Sequence, residues 1–184
     1  MRLRNGLAIL CLLAGASALA APQTSKKAPR DPELIDGQGY QKLVQQYKGK
    51  PLLVNFWATW CEPCLEEFSD LQKMVRMYRK RDLDIVTVSL NAPDEKKFVQ
   101  KFLEEQHAIN RNLLFEGTDA AEAVAIFGTG WSGGVPYTVL VGMNGEVLFK
   151  TQGRINALEV RRSILKNLTD DRYIGQHEYW NSSF

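Results

Sequence analysis

Two cysteines, Cys61 and Cys64, stand three positions apart with Glu62 and Pro63 between them. Disulfide exchange needs one sulfur that is a thiolate at working pH and a second close enough to resolve the mixed disulfide. If Cys61 opens a helix, Cys64 lies one turn in, on nearly the same side. Unpaired N–H groups of the first turn and the partial positive charge of the helix end then favour thiolate at Cys61. Cys64, in line with Phe68 and Leu71, is expected to be buried and less acidic. That asymmetry assigns the roles: Cys61 attacks and Cys64 resolves. Glu62 is expected to be exposed, and its negative charge partly opposes the helix-end effect.

A CxxC pair has other uses. Structural zinc takes four ligands, commonly Cys and His. There is no second CxxC, and the two histidines, His107 and His177, are badly spaced for a finger. No metal site is therefore expected. A disulfide across so short a loop constrains the unfolded chain far less than a long-range staple, so a purely structural bridge explains the pair poorly. Dithiol exchange needs no cofactor beyond the two sulfurs.

The elements that must hold this pair can be read on either side of it. Pro51 opens Leu52-Leu53-Val54-Asn55-Phe56-Trp57, an apolar run expected to be a strand buried on both faces. After the cysteines comes a helix whose stripe is Cys64, Phe68, Leu71, Val75 and Tyr78, in steps of four and three. Upstream, Tyr40, Leu43, Val44 and Tyr47 recur at helical spacing. Downstream, Leu83–Leu90 reads as a strand. Pro93 suits the first position of the next helix, with Phe98, Val99, Phe102 and Leu103 on one side. Asp119 and Glu122 make a capping-box pair for a shorter helix through Phe127. Tyr137–Val141 and Glu146–Lys150 read as strands joined at Asn144-Gly145, a hairpin signal. Asn156 and Glu159 cap a last helix with Val160, Ile164 and Leu168 on one face. The order predicts a three-layer α/β domain with a central mixed sheet and helices on both faces. The crossovers favour parallel pairing, and the hairpin adds antiparallel strands.

The chain has 184 residues, 45% of them apolar, enough for one domain with a real core. Its first twenty residues have a different character. Arg2 and Arg4 form a basic head, Leu7–Leu13 is nearly unbroken apolar chain, and small residues follow, with Ala18 and Ala20 two apart. This is the layout of a secretory signal peptide with cleavage after Ala20. An uncleaved membrane anchor is the other reading, although the apolar stretch is short for a span of ~20 residues. The expected organisation is a signal peptide at 1–20, a linker at 21–31, a domain at 32–168 and a polar, aromatic tail at 169–184. Cys11 leaves with the leader, so Cys61 and Cys64 are the only thiols of the mature chain. Removing residues 1–20 takes away two arginines and no acid, leaving 21 basic against 21 acidic residues. Nucleic-acid binding then lacks its electrostatic footprint, and no strong net field steers partners.

Asn55-Phe56-Trp57-Ala58-Thr59-Trp60-Cys61-Glu62-Pro63-Cys64 resembles the active-site segment of thioredoxin-like proteins. More narrowly, it resembles the exported TlpA/ResA/DsbE group of disulfide reductases, several of which serve cytochrome c maturation. Gly134-Val135-Pro136-Tyr137-Thr138 resembles the group's cis-proline loop, which precedes a strand. The likeness spans roughly residues 32–168, and its two motifs lie about seventy residues apart. It implies a thioredoxin-like fold, with Cys61 and Cys64 as the catalytic pair. It implies that Pro136 lies against the cysteines and lets the backbone of Val135 pair with a substrate strand. Trp60 is expected to flank the active sulfur, and Trp57 to pack inside. Asn55 stands where thioredoxins resemble one another in carrying a buried Asp, and Asn cannot accept a proton in that way. In the exported group a Glu on the first active helix takes this part, and the matching position here is Glu67, three residues after Cys64. Ser69 departs from the group, in which a proline often kinks this helix.

The resemblance implies a protein-disulfide reductase outside the cytoplasm, in the periplasm or an equivalent space. It would be a monomer acting on protein thiols and disulfides and fed electrons by a membrane thiol donor. Two alternatives stay open on the residues alone. One is an oxidase that inserts disulfides, because the sequence does not set the potential. The other is a thiol-binding chaperone or scaffold that uses the groove beside Pro136 without turnover. A peroxidase would show a peroxidatic Cys with an upstream Pro-Thr pattern, and neither cysteine has one.

Overall fold

The structure is a computed structural model that describes residues 30–79, 81, 83–117 and 131–167. The leader with its cleavage site and Cys11, most of the linker, the Asp119–Phe127 helix, His177 and the tail lie outside the described residues.

The chain begins with a short edge strand β1 (Glu33–Ile35), and helix α1 (Gly37–Gln46) follows. Asp36 caps α1 by accepting a hydrogen bond from Gly39 N–H at 2.6 Å. Strand β2 (Leu52–Trp57) leads to α2 (Glu62–Tyr78), which opens with Pro63 in its first turn and ends above β3 (Asp84–Ser89). A 3₁₀ turn (Pro93–Glu95) precedes α3 (Lys96–Glu105), and β4 (Arg111–Phe115) follows. The hairpin β5 (Tyr137–Val141) and β6 (Val147–Gln152) leads to the closing helix α4 (Ala157–Asn167). Asn156 caps α4, its Oδ1 accepting from Leu158 and Glu159 N–H.

The sheet order is β1-β4-β3-β2-β5-β6. The first four strands are parallel, and β5 and β6 join antiparallel, so the expected mixed sheet is present. β2 is central, and every residue in it is buried. Its side chains alternate between the two cores as the pleat requires. Leu53 and Trp57 face a core shared with α2, α3 and α4, while Leu52, Val54 and Phe56 face one shared with α1 and Trp131. In the first core the rings of Trp57, Phe68 and Phe102 meet with centroids 4.9–5.1 Å apart.

Four expectations shift. β3 begins at Asp84, and β6 runs to Gln152 rather than Lys150. Pro93 opens the 3₁₀ turn, one step before the helix proper. Phe98 does not join the buried stripe of α3. It is 64% exposed, because the face turned to the sheet is centred on Val99 and Leu103, and residue 98 lies about 100° to one side of Val99. Strands β1 and β4 were not expected: β1 has three residues, and β4 opens with Arg111-Asn112, which masks its apolar half.

Candidate active site

β2 delivers the chain to the carboxyl end of the parallel strands, the usual place for chemistry in such sheets. There Ala58–Trp60 turn and Cys61 becomes the N-cap of α2, with extended backbone and no side-chain cap bond. Cys61 and Cys64 are joined in a disulfide, with their Cα atoms 5.2 Å apart. This is the oxidised form of the pair. Cys64 N–H and Leu65 N–H both donate to the Cys61 carbonyl, at 3.0 and 3.1 Å. Pro63 has no N–H to offer. The helix end therefore acts on Cys61 as a dipole more than as a fan of free donors.

Cys64 is fully buried, as the helical stripe requires. Cys61 is only 5% exposed in this oxidised form, less open than an attacking sulfur was expected to be. The bond to Cys64 holds its sulfur inward among the same apolar cluster. What separates the two is their surroundings. Cys61 has exposed neighbours on both sides, Trp60 at 63% and Glu62, whereas Cys64 packs in the core with Phe68 and Leu71. Trp57 is buried, as expected.

The Val135–Pro136 peptide bond is cis. Register places it: Tyr137 of β5 pairs with Phe56 of β2, so Pro136 sits at the same end of the sheet as Cys61. Val135 is partly buried and packs against the cluster that contains both cysteines. The approach to this bond is anchored by Trp131, whose Nε1 donates to the Gly134 carbonyl at 2.6 Å and whose ring stacks on Tyr137 at 5.1 Å. Gly153 N–H donates to the Pro136 carbonyl at 2.8 Å.

Glu67 is 1% exposed, on the buried side of α2 just past Cys64. Its Oε1 accepts from Asn55 Nδ2 at 3.0 Å, and its Oε2 accepts from Ile155 N–H at 2.7 Å. Asn55 Nδ2 also donates to Thr138 Oγ1 at 3.0 Å, so this amide joins α2 to β5. Burial pushes the Glu67 carboxyl above the usual glutamate range. The Ile155 N–H, the Asn55 amide and the Arg154 charge pull it partly back, and Asp70 adds to the rise. Outside this pocket Glu66 is exposed and pairs with Arg154 at 2.9 Å.

The sequence placed Asn55 and Glu67 separately; the structure brings them into contact. Thr138 and the Ile155 N–H were missed. Thr138 is the antiparallel register partner of Asn55, a fact legible only once β2 and β5 are paired. No pattern of side chains marks a backbone donor such as Ile155. The described part of α2 is one helix from Glu62 to Tyr78, with Ser69 exposed on its outer face. Among the described residues no group of three His, Cys, Asp or Glu is placed to hold a metal ion. No helix among them is long and apolar enough to cross a membrane.

A thioredoxin-like fold carrying a redox-capable Cys pair at the start of its second helix defines a thiol-disulfide oxidoreductase. More particularly, the chain belongs to the AhpC/TSA family, which it matches over residues 24–150. It is similar to the thiol-disulfide oxidoreductase ResA of Geobacillus kaustophilus, 28% identical over 131 residues that make up 71% of each chain. It is also similar to the thioredoxin-like protein YneN of Bacillus subtilis, 35% identical over 75 residues, 41% of this chain and 43% of that one. Among solved structures it resembles a thiol:disulfide interchange protein of the thioredoxin family from Chlorobium tepidum. The TM-score is 0.56 at 24% identity, covering 67% of this chain and 83% of that one. StoA from Bacillus subtilis superposes with a TM-score of 0.51 at 21% identity, covering 63% and 83%. Both structural likenesses concern the fold.

Proposed function

We propose that the protein is exported and reduces disulfides in other exported proteins, with cytochrome c maturation as the setting. The observation that carries this reading is the Cys61–Cys64 pair at the start of α2, backed by a buried carboxylate on the same helix. Similarity to proteins named thiol-disulfide oxidoreductase supports the reaction class. The layout of residues 1–20 supports export, with 21–31 as linker, 32–168 as the thioredoxin-like domain and 169–184 as a tail.

The exchange runs in two displacements. The Cys61 thiolate attacks one sulfur of a substrate disulfide. That S–S bond breaks, and the other substrate sulfur leaves as a thiolate and takes up a proton. Cys64 then loses its proton and attacks the Cys61 sulfur. The mixed disulfide breaks, the second substrate thiol leaves, and the Cys61–Cys64 bond forms. Two electrons pass to the substrate, and a membrane thiol donor restores the dithiol. Glu67 takes the Cys64 proton, because a buried thiol needs help to ionise near neutral pH. Val135 and Pro136 present backbone to an extended substrate, and exposed Trp60 covers its flank. The protein works as a monomer on this reading.

Trapping tests it. Cys64→Ala, expressed in its native compartment, should accumulate protein partners bonded to Cys61. Partners recovered equally from Cys61→Ala, or none from either variant, would refute the assignment.

A further inference from the structure

Cys61 is placed by a three-residue turn, Ala58–Trp60, that belongs to neither β2 nor α2. The β2–β3 ladder ends where Leu90 N–H donates to the Trp57 carbonyl at 2.8 Å. Beyond that point Thr59 N–H has no strand to pair with. It donates instead to Asn91 Oδ1 at 2.8 Å, and Thr59 Oγ1 accepts from Asn91 Nδ2 at 2.6 Å. One side-chain amide thus grips both the backbone and the hydroxyl of the residue two before Cys61.

The grip is itself braced. Asn91 is 2% exposed. Its Oδ1 also accepts from Ser89 Oγ at 2.9 Å, and its second Nδ2 proton goes to Glu95 Oε2 at 3.0 Å. Its own N–H donates to Ser89 Oγ at 3.2 Å. Both amide protons and both carbonyl lone pairs are therefore used, the full capacity of an asparagine. Glu95 is held in turn by Ala92 N–H at 3.1 Å. A chain of bonds runs from the 3₁₀ turn through Asn91 into the turn that carries Trp60 and ends at Cys61. Trp60, at the tip of that turn, is largely exposed, so its own packing does little to fix the loop.

We infer that Asn91 is a positioning residue of the dithiol site. Acting through Thr59, it fixes the Ala58–Trp60 turn and so sets the direction in which the reduced Cys61 meets its substrate. This rests on the assignment of Cys61 as the attacking sulfur. The alternative is that Asn91 merely stabilises the end of β3. The two differ in what a substitution moves. A structural amide changes unfolding alone. A positioning amide also changes the reactivity of a sulfur it does not touch, and misplacing a reacting group by about 1 Å can cost up to ~10²-fold in rate.

The experiment uses the full reduced protein, with alkylation by iodoacetamide followed at each cysteine by mass spectrometry, and with turnover on a protein disulfide. Asn91→Ala should slow Cys61 alkylation and lower kcat/KM by roughly ten- to a hundredfold. Thr59→Val keeps the backbone grip and loses the hydroxyl, so it should show a smaller loss. Thr59→Ser keeps both contacts and should behave as wild type. In the double variant, Asn91→Ala should mask Thr59→Val, because residues acting through one contact are not additive. Asn110→Ala is the control. Asn110 is an equally committed buried amide, bonded to Gln72, at the opposite end of the sheet. It should lower stability and leave Cys61 alkylation unchanged. If Asn91→Ala does not fold, Thr59→Val against Thr59→Ser carries the test alone. Unchanged alkylation and kcat/KM in folded Asn91→Ala, or Thr59→Val equal to Thr59→Ser, would overturn the inference. Wild-type labelling that starts at Cys64 would instead overturn the assignment beneath it.

Discussion

Replacing Glu67 by Gln removes one proton site and almost no volume. The carboxylate is buried and accepts two hydrogen bonds, one on each oxygen. Bonds to a charged group are worth ~1.5–3 kcal/mol each, and burying an ion costs several kcal/mol. These terms oppose one another, and burial is the larger, which is why the carboxyl is raised. The substituted amide can keep its oxygen on Ile155 N–H and turn its nitrogen to Asn55. Asn55 can rotate to present Oδ1, with the Thr138 hydroxyl donating in its turn, so the fold is retained. The sign of the pH effect follows. The folded chain holds the Glu67 proton at pH values where the unfolded chain has released it. This contribution is full below the ordinary glutamate value and is lost as pH rises through the raised one. Glu67→Gln should abolish that slope in denaturant unfolding. In catalysis, a positioned base contributes ~10²–10⁴-fold, and water replaces part of it. Resolution of the mixed disulfide near pH 7 should therefore slow by about ten- to a hundredfold, as read by stopped-flow release of a substrate thiol. The gap should close at alkaline pH, where Cys64 ionises unaided. The whole pH profile, not one midpoint, is the readout, because interacting sites share macroscopic midpoints. Alkylation of Cys61 should be unchanged. Glu66→Gln is the control: its pair with Arg154 is more than half exposed at both ends and worth ~0–1 kcal/mol. Equal effects from the two substitutions, or a gap independent of pH, would refute the role of Glu67.

Phe68→Ala should cost ~3–5 kcal/mol in denaturant unfolding, because it removes the ring packed against both Trp57 and Phe102. Trp60→Ala should leave stability within about 0.5 kcal/mol, and should raise KM for a folded protein disulfide several-fold while barely changing reactivity toward a small disulfide. If the first twenty residues are a cleaved leader, N-terminal sequencing of the exported protein should begin at Ala21, and a start at Met1 would contradict it.

The cysteine pair, the strand before it and the helix after it were legible because each announces itself locally. An unbroken apolar run, a helical stripe and a CxxC need no partner to be read. The fold class followed from element order and from the Asn144-Gly145 hairpin. Strands β1 and β4 escaped for a tertiary reason. Arg111 and Asn112 open β4 as polar residues, and they belong in a sheet only because Glu33 pairs with Arg111 and Thr87 bonds to Asn112. Phe98 misled because residue type suggested burial where helix phase points it outward. The contacts around Glu67 were half legible. Helical spacing put it beside Cys64, but its partners Asn55 and Ile155, and Thr138 behind Asn55, come from three separate stretches of chain that only the folded sheet unites. Asn91 gave no signal at all in sequence, since a buried asparagine between a strand and a turn looks like any loop residue.

Catalytic reduction of insulin in the presence of dithiothreitol tests the central claim most directly. The wild-type protein should accelerate precipitation of the reduced chains in substoichiometric amounts, turning over many times per molecule. Cys61→Ser should abolish the effect with the fold intact. Acceleration that persists in Cys61→Ser, or a wild-type effect that stops at one disulfide per molecule, would contradict dithiol exchange through Cys61 and Cys64.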